Sequence, residues 1–127
     1  MMRPGVASAP QRFAFQRLEV YQVAKAVAQL TIDHRRVFAD VPGEIGERLA
    51  RATVAVLAEI AAGAVHTSKS DQRRCYQAAR AAANEAVSYV EVAQLHGVIA
   101  GELREMITGQ LVRVDTMLAG MIRRRTA

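Results

Sequence analysis

The side chains with chemistry to offer are three histidines (His34, His66, His96), one cysteine (Cys75) and twelve carboxylates, in a chain of 127 residues. Catalysis or metal binding needs several such groups in one small volume. The histidines fall in three separate segments, and no Glu-x-x-His pair of the di-iron bundle type occurs. No Cys/His/Asp/Glu set has zinc-ligand spacing. A phosphate-cradling glycine loop is absent, and Ser68 has no base at a fixed offset. A single cysteine excludes an intrachain disulfide. Cys75 falls on a face of small apolar residues and reads as a buried small hydrophobe. The expectation is a protein that is not an enzyme and that uses no metal and no cofactor.

Cations are the more distinctive group. Seventeen Lys and Arg face twelve Asp and Glu, a net charge of +5, and the isoelectric point is about 10.1. Arg73, Gln77 and Arg80 are spaced four and three apart, so they share a helix face. Lys69 lies one turn earlier and Arg74 is adjacent. Arg48 and Arg51 are nearly one turn apart on the preceding helix, and Arg123, Arg124 and Arg125 end the last one. If the second and third helices are antiparallel neighbours, Arg48, Arg51, Lys69, Arg73, Arg74 and Arg80 are expected to gather near one end. Planar guanidinium groups match phosphate, so the expected partner is nucleic acid, RNA or DNA. No aromatic residue interleaves these cations, which predicts reading of charge and shape rather than base stacking. The competing reading is an ion-pair network in which Glu47, Glu59 and Glu85 neutralise Arg51 and Arg80. The alternative function, an oligomeric protein–protein scaffold with no nucleic-acid role, is motivated by surplus apolar surface on the helices.

These cations must be positioned by helices. The composition is 51% hydrophobic but only 5% aromatic, with no Trp, which suits close helix packing. Pro4, Pro10 and Pro42 lie outside the periodic stretches. Residues 1–12 read as a flexible arm, 13–124 as one helical domain and 125–127 as a basic tail. The spacing predicts a first helix from Phe13 or Ala14 to about Phe38, with breaks in its apolar set near His34–Arg36. A second starts at Pro42, carries Glu44 and Glu47 in its first turn, and stops at Gly63. Ser68 caps a third, with Asp71 reaching back in a capping box, and that helix runs to Leu95 or His96 before Gly97. The fourth spans Ala100 to Arg124 with a near-heptad stripe from Leu103 to Ile122. No segment alternates with period two. The expected fold is all-α, an antiparallel up-down-up-down four-helix bundle. Helices two and three carry apolar residues on more than one face (Val54, Val56, Leu57 and Ile60; Val87, Tyr89, Val90 and Val92), which predicts a homo-oligomer. No stretch is long and apolar enough for a membrane span, and no signal peptide precedes Pro10. A cytoplasmic location is expected.

The ordered set of packing residues resembles the bacterial four helix bundle protein family, related to the proteins encoded by intervening sequences in large-subunit ribosomal RNA genes. Phe15, Leu18, Val20-Tyr21-Gln22 and Ala24 are similar to its opening. Arg51 to Gly63 (RATVAVLAEIAAG) has the length and terminal glycine of its second helix. Ser68, Ala78-Ala79-Arg80-Ala81-Ala82, Glu85 and His96-Gly97-Val98-Ile99 follow in register. The chain departs from the polar signature at Glu59, Ala62, His66 and Ala81-Ala82. The resemblance covers residues 13 to about 124. It implies a ring-forming homo-oligomer, often a pentamer, with no established enzymatic activity. A related branch, the accessory variability determinant of diversity-generating retroelements, is similar in size and charge. That branch implies a reverse transcriptase and its RNA template as partners.

Overall fold

The computed structural model describes residues 13–126. A 3-10 turn (Ala14–Arg17) leads into α1 (Glu19–Asp33), α2 (Arg35–Phe38), α3 (Ile45–Val65), α4 (Lys69–Leu95) and α5 (Gly101–Arg124). There is no strand among the described residues. The expected flexible arm, residues 1–12, lies outside them.

Of the four long helices, α1 packs against α3 and α5, and α4 packs against the same two. The most extensive pairing is α3 with α4. Its cause is the small face of α4: Ala79, Ala83, Ala86, Val90 and Ala93 are all essentially sealed from solvent. Alanine lets a partner backbone approach, and Leu49, Val56 and Ile60 of α3 fill the space from the other side. The α5 stripe of Ile107, Leu111, Val114 and Leu118 completes the core. Burying each such Leu or Ile contributes about 1.5–3 kcal/mol.

Three expected boundaries are corrected. The first helix is not continuous. His34 leaves the helical region (φ −112°, ψ 24°), its Nδ1 lies 2.9 Å from the Leu30 carbonyl, and Arg35 Nη1 donates to the Ile32 carbonyl at 3.0 Å. The Leu30 carbonyl keeps the His34 backbone N–H at 3.1 Å as well, and the Arg35 side chain satisfies the Ile32 carbonyl at the break. Pro42 does not open the second helix. Gly43 (φ 85°) and Glu44 (φ 59°) are both left-handed, so α3 begins at Ile45. Gly63 does not stop α3; it is buried inside it. A Cβ there would sit 2.6 Å from Cε1 of Tyr76, so the glycine is needed for close approach, not for termination.

Other boundaries hold. Ser68 Oγ accepts from the Asp71 backbone N–H at 3.1 Å, and Gly97 adopts φ 71° after α4. Asp71 does not reach back, however; its carboxylate is held by Arg74 at 2.6 Å. Since one cap hydroxyl satisfies one orphan amide, Ser68→Ala should cost about 0.5–2 kcal/mol in chemical denaturation, with an unchanged denaturant slope.

Candidate nucleic-acid interface

The start of α4 and the finish of α5 are clasped together. Arg73 Nη1 donates to the Arg125 carbonyl at 2.6 Å. Arg125 Nε donates to Gln72 Oε1 at 2.9 Å, and its Nη1 donates to the Met121 carbonyl at 2.9 Å. Its guanidinium lies 5.1 Å from the ring centroid of buried Tyr76, within cation–π range. Gln72 Nε2 in turn donates to the His66 carbonyl at the end of α3, at 2.9 Å. The start of α1 joins the same end, where Leu18 and Glu19 share a recess with Gly120 and Arg124. Arg125 is therefore a docked residue, not part of a basic tail, and Arg73 is spent on holding it.

Of the candidate cations at this end, Lys69, Arg123 and Arg124 remain exposed and outside any ion pair among the described residues, and Arg17 and Lys25 are exposed there as well. The guanidinium groups of Arg124 and Arg123 lie 3.3 and 3.6 Å from the point where Gly120 would carry a Cβ, so a bare backbone makes room for them. Arg74 is exposed and paired with Asp71. Within two turns of this end the described residues carry eight cations, Arg17 and Lys25 among them, and three carboxylates.

The remaining candidates lie elsewhere. Arg80 donates to Asp115 of α5 through Nε at 2.7 Å, and Asn84 donates to the same Oδ1 at 2.9 Å. This is a cross-helix tie. Asp115 is held below the usual carboxylate range, first by the Arg80 hydrogen bond and then by Asn84, against the opposing effect of burial. A lowered native pKa contributes stability above the unfolded value of about 3.9, lost as pH falls through the native value. Asp115→Asn should therefore be less stable than the parent at neutral pH, and in thermal melts across pH the gap should close as pH falls below the ordinary carboxylate range.

Arg48 and Arg51 are also elsewhere. They line a recess with Glu85 and Tyr89 of α4, sixteen residues or about 24 Å along α4 from Arg73. The two helices run past each other, so the first turns of α3 meet the last turns of α4. Arg48 Nε donates to the Gly43 carbonyl at 2.9 Å, and Arg51 lies 3.7 Å from Glu47. The expected gathering of Arg48 and Arg51 with Arg73 and Arg74 is thus corrected. Of the competing ion pairs, Glu47–Arg51 forms, Arg80 takes Asp115 instead, and Glu85 accepts from the Tyr89 hydroxyl. Asp115 and Gln72 were invisible to spacing, because their partners are 35 and 53 residues away.

The far end has the opposite sign. Within two turns of it the described residues carry five arginines and seven carboxylates. The excess positive charge is thus concentrated at the α4-start, α5-finish end.

His34, His66 and His96 occupy the C-caps of α1, α3 and α4, at three separate places. No group of three metal-ligating side chains occurs among the described residues. Cys75 is buried and free; burial pushes its thiol up, and the Glu59 carboxylate adds to that, the opposite of an activated nucleophile.

No protein-family model matches the chain, and no curated protein matches its sequence. The fold is similar to the 1.70 Å crystal structure of a protein of unknown function from the S23 ribosomal protein family of Bacteroides thetaiotaomicron. The TM-score is 0.76 at 17% identity, over 82% of this chain and 98% of that one. At that identity the likeness establishes a shared helical fold.

Proposed function

We propose that this chain is a non-enzymatic, self-associating helical bundle, antiparallel and up-down-up-down, that binds nucleic acid through its cationic end. One observation carries the reading: Lys69, Arg123 and Arg124 are exposed, enter no ion pair among the described residues, and belong to the end of the molecule where the charge excess is concentrated. Such an end attracts a polyanion and releases its counterions. The family resemblance extends the proposal to a ring, often of five copies, that serves a reverse transcriptase and its RNA template in the cytoplasm. Binding to structured RNA and to duplex DNA across a salt series tests it. Affinity should fall linearly with the logarithm of salt concentration. Absence of binding at low salt, or binding indifferent to salt, refutes the proposal.

A scaffold with no nucleic-acid role is the second reading. It is favoured by Val54, Val65 and Leu95, which are 61%, 71% and 85% exposed. A protein partner that survives nuclease and high salt, with no RNA or DNA binding, selects it.

A further inference from the structure

The end of the molecule away from the cationic patch carries a groove of about 620 Å³ between α1–α2 and α3. It exists because the chain breaks at His34 and turns back through left-handed Gly43 and Glu44. Phe38 and Leu49 form its buried floor. Ile32, 54% exposed, stands at its edge. Ala50 continues it onto an outward stripe one turn from Val54, which is 61% exposed.

The two lips are oppositely charged. Arg35 and Arg36 line the α2 side, and Glu44 and Glu47 line the α3 side. No ion pair crosses the groove among the described residues; the partner of Glu47 is Arg51 at 3.7 Å, with both side chains more than two-thirds exposed. Such a pair holds little energy and is easily exchanged. An occupant must bring apolar surface to the exposed Ile32 and Ala50, carboxylates to the α2 lip and cations to the α3 lip. Another copy of this chain carries all three next to one another, on its own Ile32 edge and its own two lips.

We propose that this groove is where one copy of the chain docks on another, Arg35 and Arg36 of the first meeting Glu44 and Glu47 of the second. The inference rests on the self-association proposed above and adds a face; because the same groove serves on both copies, the contact is two-fold and closes a pair, separate from the contact that closes a ring. It leaves the cationic end free, because the groove lies at the opposite end.

Sedimentation velocity at 1–50 µM tests it with two charge-reversed proteins, Arg35→Glu/Arg36→Glu and Glu44→Arg/Glu47→Arg. All four positions are exposed, so the fold should survive, which circular dichroism checks. The wild type should sediment as an oligomer. Each variant alone should associate at least about tenfold more weakly, and an equimolar mixture should regain association. Ala50→Glu, at an exposed helical position that lines the groove, should weaken association without being rescued by either. If the wild type associates and both variants associate equally well, the groove is not the interface and self-association stands. Failure of the mixture to recover also overturns the groove assignment. A wild type that remains a 13.8 kDa particle overturns self-association itself.

Discussion

Tyr76→Ala is expected to lower unfolding free energy by about 3–5 kcal/mol, the range for deleting a large buried aromatic side chain. Tyr76 is 1% exposed and is the contact point of three elements. Its ring lies against Gly63 of α3, it belongs to α4, and Arg125 at the end of α5 sits over it. Removal empties a ring-sized volume and leaves the guanidinium without its face. Gly63→Ala should cost about 1–3 kcal/mol by overpacking, since its Cβ would fall 2.6 Å from the ring. That figure already opposes the gain of about 1 kcal/mol that alanine has over glycine inside a helix. The sign should therefore reverse in combination. With Tyr76→Ala in place the clash is gone, and Gly63→Ala becomes neutral or stabilising. Urea denaturation of the four proteins in this cycle checks it. Additive losses would mean that Gly63 is required for some reason other than the ring.

Charge reversal at the cationic end is expected to have the largest effect on function. Lys69→Glu, Arg123→Glu and Arg124→Glu together should weaken nucleic-acid binding on the order of 100-fold at 0.1 M salt and reduce the salt slope by about three. The loss should be uniform across sequences, since phosphate contacts carry no base information. Arg73 is excluded from this set on purpose. It holds the Arg125 carbonyl, so reversing it would loosen α5 and confuse folding with binding. Arg48→Glu with Arg51→Glu, about 24 Å away along α4, should leave the slope nearly unchanged. Filter binding or anisotropy across a salt series measures both. Equal losses from the two sets would show that net charge, not the cationic end, governs binding.

The local pattern was sufficient for the helices, because the period of apolar residues and the Ser68 cap act within a few residues of themselves. The small face from Cys75 to Ala93, the left-handed Gly97 and the absence of strands among the described residues were all legible in this way. The boundaries were legible only in part. The apolar pattern falters at His34–Arg36, where the helix does break, whereas Glu44 and Gly63 sit where a left-handed turn and a ring from another helix override local preference. Gly63 shows the difference most clearly: a glycine near a helix end looks like a stop, and only the position of Tyr76 turns it into a packing requirement.

For the candidate interface, the sequence by itself determined that arginine is in excess and which arginines share a turn. It could not say which of them are spent. Arg73 and Arg125 go to a clasp and Arg80 goes to Asp115, through pairings between residues 35 to 53 apart in the chain. Only the tertiary structure decided that Lys69, Arg123 and Arg124 are left over and that Arg48 and Arg51 lie toward the other end. The reason is that charge along a sequence is one-dimensional, whereas pairing depends on which ends of neighbouring helices the loops bring together.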